Sequence, residues 1–174
     1  MKRALVVIDM LNDFVRPGAP LEVPRARAIL PALRARLVAA RREGIPVIHV
    51  CDAHRPDDRE FERMGWPPHA VAGTRGAEVV AELAPLPGEP RVLKQTYSGF
   101  FGTELETLLL SLEVDELVLT GCVTNICILY TAADAVMRGF RVRVHLDSVA
   151  DLDPAEGEFA LRQMERVLGV AVER

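Results

Sequence analysis

Apolar and polar positions alternate along the chain between two kinds of run. Residues 4–9, ALVVID, stay apolar up to a terminal Asp, as in a strand buried on both faces. Residues 24–43 instead carry Ala26, Ile29, Leu30, Leu33, Leu37 and Ala40 at helical spacing, with Gly44 as the stop. Further strands are expected at PVIHVCD (46–52), RVLK (91–94), ELVLTG (116–121), the alternating RVRVHLD (141–147) and a short closing GVAVE (169–173). Between them the spacing predicts helices over 75–83, 104–112, about 126–138 and 154–167. Thr103 and Glu106 form the pattern of a capping box for the second of these, and Pro154 sits near the start of the last. Residues 53–73, rich in Pro, His and charge, read as a long loop.

Strands alternating with helices make a parallel sheet the default, and right-handed crossovers make it doubly wound, with helices on both faces. The chain carries no internal repeat, low-complexity tract or linker, so residues 1–174 read as one domain. In such sheets ligands bind beyond the carboxyl ends of the strands, near the point where strand order reverses. Asp9, Asp52, Lys94 and Gly121 all fall at those ends.

Composition narrows the function classes. A net charge of −4 lacks the basic footprint of a nucleic-acid binder. No apolar run approaches the roughly 18–20 residues of a membrane span, and the five-residue ALVVI is too short for a signal peptide. Three cysteines, Cys51, Cys122 and Cys127, make no disulfide framework. The expectation is a soluble, cytoplasmic protein. Neither GxGxxG in the first βα turn nor GxxxxGK[ST] anywhere is present, so no nucleotide cofactor is expected. Only two of the 21 basic residues are lysines, Lys2 and Lys94, which singles out the interior one. A compact ammonium does what an arginine fork does not.

Taken singly, the residues with chemical potential have bland readings. Asp9 can cap a loop, Lys94 can snorkel, and a buried Cys is usually an inert small hydrophobe, as expected for Cys51 and Cys122. Together they are less bland. Cys127 lies six residues beyond Gly121, where a strand gives way to a helix, a placement expected to lower its thiol pKa. A carboxylate, an ammonium and a helix-start thiol at one sheet edge suit nucleophilic attack on a carbonyl, with turn N–H groups for the oxyanion.

Three blocks in order, VVIDMLNDF, KQTYSGFFGTELE and TGCVTNICILYTAADA, resemble the isochorismatase-like cysteine hydrolases, and the nicotinamidases among them in particular. The resemblance spans nearly the whole chain and implies a three-layer αβα fold of the Rossmann type. Its Asp–Lys–Cys triad maps onto Asp9, Lys94 and Cys127. Its non-proline cis peptide maps onto Val123–Thr124, and its oxyanion donors onto the N–H groups of Val123 and Cys127. True isochorismatases lack the cysteine, so Cys127 favours C–N hydrolysis through a thioester.

The loop CDAHRPDDREFERMGWPPHAVAGT holds a second constellation. Asp52 and His54, two apart at a strand end, face the same way, and His69 returns after a Pro-Pro turn. Two imidazoles and a carboxylate suit zinc, iron or manganese. By spacing alone the signal is weak, since loop Asp and His residues are common. The resemblance strengthens it, implying a divalent metal, zinc first, that holds the pyridine nitrogen of nicotinamide. It adds a fourth ligand, a second carboxylate, that maps best to Glu62, with Glu60 as the fallback. Trp66, Phe14 and Tyr97 are candidate walls for an aromatic substrate, each also readable as a packing residue. His49 and His145, within strands, are expected to be structural.

The sequence therefore predicts a cysteine-dependent amidohydrolase, nicotinamidase first, with another small amide, carbamoyl or ureido substrate as the alternative. A non-catalytic binding module is the reading from another class. The resemblance also implies a homodimer or homotetramer, with no nucleic-acid or membrane partner.

Overall fold

The computed structural model describes residues 2–174. Six parallel strands form one sheet: β1 (Arg3–Ile8), β2 (Val47–Asp52), β3 (Arg91–Lys94), β4 (Glu116–Cys122), β5 (Arg141–Ala150) and β6 (Ala171–Glu173). Their order is β3-β2-β1-β4-β5-β6, so the winding reverses between β1 and β4. The helices are α1 (Asn12–Val15), α2 (Ala26–Arg42), α3 (Arg59–Met64), α4 (Leu105–Ser111), α5 (Leu129–Met137) and α6 (Pro154–Arg166).

The continuous apolar runs are central strands with both faces covered. In β1, Leu5 and Val7 pack under α1 and α2, while Ala4, Val6 and Ile8 face the opposite layer with residues of α4, α5 and α6. Burying one such side chain contributes about 1.5–3 kcal/mol, so each central strand is held firmly from two sides. The β1–β4 contact is close at Gly121, which adopts φ 112°; a β-carbon there would overlap the Ile8 carbonyl oxygen. This brings the two strand ends that flank the switch point together.

Several local expectations are corrected. The segment 75–83 is not a helix but two short 3-10 turns, Arg75–Ala77 and Ala81–Leu83. Between them Glu78 O accepts Asn12 N–H at 3.0 Å and Val79 bridges Leu11, which pulls the chain into an extended form. The long loop contains α3, started by Asp58, whose side chain accepts Glu60 N–H at 2.9 Å, and closed by Gly65 in the left-handed region. The capping box before α4 is only half formed. Thr103 Oγ1 accepts Leu105 N–H at 3.2 Å, but Glu106 reaches Arg138 at 3.1 Å instead of turning back. β5 runs on to Ala150 because a register shift lets Val149 and Ala150 pair with Gly121 and Cys122.

Candidate active site

Four strand ends converge at the switch point. Asp9 follows β1 and is buried, with a left-handed φ of 53°. Such a conformation costs a non-glycine residue about 1–2 kcal/mol and persists where neighbours hold it. Here Asp9 N–H donates to Val50 O at 2.9 Å, the Cys122 thiol donates to Asp9 O at 3.2 Å, and Asp52 N–H donates to Asp9 Oδ1 at 2.8 Å. Lys94 ends β3 and is fully buried. Its Nζ lies 2.7 Å from Asp9 Oδ2, donates to Asp52 Oδ1 and sits 3.5 Å from Cys127 Sγ. Asp9 Oδ2 is buried and pairs with that ammonium by charge. Cys127 lies in a π-helical turn, Thr124–Ile128, that leads into α5. Asp9, Asp52 and Cys127 bring their carboxylate and thiol atoms within 4.8 Å of one another.

The charges of this cluster decide its protonation. Burial and the neighbouring Asp52 charge push Asp9 up to about 6, against the pull of Lys94. Burial raises Asp52 too, but Lys94 and His54 outweigh it and hold Asp52 below the ordinary range. Lys94 is held charged, well above its usual value, because the surrounding anions overcome its desolvation. Cys127 departs from expectation. Burial drives its thiol well above the ordinary range, the lowering by Lys94 comes second, and the two carboxylates push further upward. The lysine's one charge is divided between two carboxylates, so a helix-start position does not produce a resting thiolate. The thiol is protonated at rest, beside a carboxylate poised near pH 6.

The turn before Cys127 also differs in one bond. The cis non-proline peptide joins Cys122 to Val123, one position before the expected Val123–Thr124 bond. Thr124 already opens the π-helical turn, so the change of direction falls at the last residue of β4. The N–H of Val123 makes no turn or side-chain hydrogen bond among the described residues. Thr124 is buried, and its hydroxyl likewise has no protein partner among them.

Next to Asp9, Lys94 and Cys127, the residues Asp52, His54 and His69 are buried and offer one ligand atom each within 4.8 Å of one another. His69 Nδ1 donates to Pro67 O at 2.8 Å, and His54 Nδ1 lies 3.1 Å from Asp58 Oδ2. Both rings are thereby oriented by one nitrogen with Nε2 left for the group's centre, the arrangement of metal-ligating histidines. Burial lowers His54, but Asp52, Asp58 and Glu60 outweigh it and lift its pKa to about 9. That surplus of negative charge, which draws a proton, suits a divalent cation equally well. The donor set therefore fits a metal. Glu62 does not join it: α3 buries Glu60 and Phe61 and turns Glu62 to solvent. Residues two apart on a helix face away from each other. Glu60, the fallback, is the carboxylate that reaches the cavity.

That cavity is lined by Asp9, Asp52, Glu60, His69 and Cys127 on its reactive side, and Phe14, Trp66 and Tyr97 are all in its wall. Phe14, Phe61 and Trp66 rings pack around His69, with centroids 5.0–6.0 Å away. Leu21, Ile126 and Leu152, which no sequence pattern marks, join Cys122 and Val123 in the rest of the lining. Cys51 is buried with its thiol pushed up to about 12. His49 is buried in β2 beside Glu89, and His145 pairs with Glu173; neither lines the cavity.

The pattern of a family described as "Isochorismatase domain" matches residues 3–173. Among solved structures, the N-carbamoylsarcosine amidase of Thermoplasma acidophilum is 39% identical with a TM-score of 0.89, covering 100% of this chain and 96% of that one. A nicotinamidase/pyrazinamidase from Bacillus subtilis is 34% identical with a TM-score of 0.93, covering 100% of both chains. The pyrazinamidase of Pyrococcus horikoshii, solved in complex with zinc, is 32% identical with a TM-score of 0.91, covering 100% and 99%.

Proposed function

The chain belongs to the isochorismatase family and is one of its C–N-cleaving amidohydrolases, and from that premise we propose that its substrate is nicotinamide or a close pyridine carboxamide, hydrolysed through a thioester on Cys127. The observation that carries the substrate class is the cavity wall: Phe14, Trp66, Tyr97, Leu21, Ile126 and Leu152, with no arginine among the lining residues. A flat, uncharged aromatic amide suits that lining. An N-carbamoyl amino acid brings a carboxylate, which would meet the side chains of Asp9, Asp52 and Glu60 and no lysine or arginine in that lining. Arg63, beside Tyr97, already donates to the Tyr97 hydroxyl at 3.2 Å and lies 3.9 Å from Glu60. Lys94 is engaged by two carboxylates.

Asp9, ionised above about pH 6, takes the Cys127 proton as sulfur attacks the carboxamide carbon. Lys94 holds the charged form of this cluster and keeps Asp9 facing the thiol. The N–H groups of Val123 and Cys127 receive the oxyanion. Asp9 then gives its proton to the departing nitrogen, releasing ammonia and leaving the thioester. A water gives Asp9 a proton as its oxygen attacks the thioester, and Asp9 returns that proton to sulfur as the carboxylic acid leaves. Asp52, His54 and His69 would hold a divalent metal, with zinc as first choice, and it would supply Lewis acidity toward a ring nitrogen of the substrate.

The test is ammonia release from nicotinamide and from an N-carbamoyl amino acid, by protein of assayed metal content, before and after chelation. Release from nicotinamide that chelation suppresses is the expected result. Release from the carbamoyl compound alone would move the substrate to the ureido class.

A further inference from the structure

Asp13 touches neither Asp9 nor the metal-ligand trio in the hydrogen-bond network, yet it is tied to the turn that carries His69. Its Oδ2 accepts the N–H of Ala70, the residue after His69, at 2.9 Å. Ala70 is buried and adopts φ 45°, a left-handed conformation that its β-carbon disfavours. Its carbonyl accepts the N–H of His54 at 3.0 Å. Ala70 thus joins the backbones of two of the three candidate ligands, and Asp13 is what grips it from the side.

The rest of α1 is arranged around the same task. Asn12 Nδ2 donates to Arg75 O at 2.8 Å and Asn12 N–H to Glu78 O at 3.0 Å, so the helix is fixed to the strand-like stretch beyond the loop. Phe14 packs its ring 5.5 Å from that of His69. Gly76 leaves room for the Asp13 carboxylate, since a β-carbon at Gly76 would overlap it. α1 begins only three residues after Asp9, so one short segment connects the carboxylate of the triad to the ligand loop.

We propose that Asp13 is a positioning residue for the metal centre: by gripping Ala70 it sets the left-handed turn that aims His69 and spaces it from His54. This rests on the metal reading of Asp52, His54 and His69 given above. Outer residues that orient ligands typically change metal affinity 10–100-fold on mutation.

The experiment is titration of the full chain with Co2+, followed by its visible absorption, alongside thermal melts of the metal-free proteins. Asp13→Ala is expected to weaken Co2+ binding about 10–100-fold, and Asp13→Asn, which keeps an acceptor oxygen, to restore most of it. Gly76→Ala, which displaces the carboxylate without removing it, should weaken binding in the same direction and serves if Asp13→Ala does not fold. His69→Ala is the control that abolishes the spectrum. Wild-type affinity in both Asp13→Ala and Gly76→Ala, with only the melting temperature lowered, would reduce Asp13 to a structural role while leaving the metal site intact. A wild-type protein with no Co2+ spectrum would overturn the metal reading itself, and the positioning role with it.

Discussion

At the scale of single residues, the site is governed by how few positive charges it contains. Lys94 faces Asp9, Asp52 and the Cys127 thiol at once, and one ammonium does not stabilise three anions. Asp52 keeps its charge, Asp9 is pushed up to about 6, and the thiol stays protonated. Activity should follow Asp9. Below pH 6 the carboxyl is protonated and cannot accept the thiol proton, so kcat/KM should fall about tenfold per pH unit on the acid side. Titration of the Asp9 carboxyl in the metal-free protein, followed by infrared difference spectroscopy against Asp9→Asn, measures the value, and a midpoint near pH 4 would remove the burial effect on which the assignment rests. Asp9, Asp52 and Lys94 are legible as strand-end residues, whereas Cys127, five residues past the end of β4, is singled out by its helix-start position and by the family resemblance. Their protonation is not legible, because it depends on which charges share one desolvated space, and sequence spacing carries no such distances.

At the scale of elements, the buried strands were the most legible feature, since a run such as ALVVI has few alternatives in an α/β chain. The misses fall where a few residues are shaped by distant partners. Residues 75–83 have helical spacing but are drawn straight by Asn12 and Leu11. Residues 59–64 were hidden inside a polar loop although Asp58 and Gly65 supply both caps. α3 decides between the two glutamates, burying Glu60 and exposing Glu62, a distinction that sequence order alone does not carry. Glu62→Ala should therefore leave metal affinity and KM within about twofold, as expected for an exposed position. Glu60→Ala, which removes a buried carboxylate from the cavity, should raise KM severalfold or more. Parallel kinetics on the two variants separate them, and equal effects would argue against the placement of α3.

At the scale of the whole molecule, the fold explains why residues so far apart in sequence meet. Reversal of the winding between β1 and β4 opens the crevice in which open α/β sheets bind ligands. Asp9 and Cys127 arrive from its two sides, and Asp52 and Lys94 from the next strands outward. Among the described residues no helix is long and apolar enough to cross a membrane. A metal bound between β2 and the loop after it ties that loop to the sheet. Binding only the folded chain, it should stabilise by about 2.7 kcal/mol at a hundredfold excess over its Kd, or roughly 5–10 °C in melting temperature. Melts with and without chelator check this, and an unchanged midpoint at saturating zinc would contradict a metal site in that place. The topology was readable from the order of strands and helices. The cavity's apolar wall was not, since Leu21, Ile126 and Leu152 come from three separate segments and have no motif in common.

The central claim is that the Cys127 sulfur is the nucleophile. Its most direct test is ammonia release from nicotinamide by metal-loaded Cys127→Ala, compared with wild type at equal metal content and equal melting temperature. The account predicts a loss of at least about a thousandfold in a protein that still binds metal. Turnover within tenfold of wild type would contradict it.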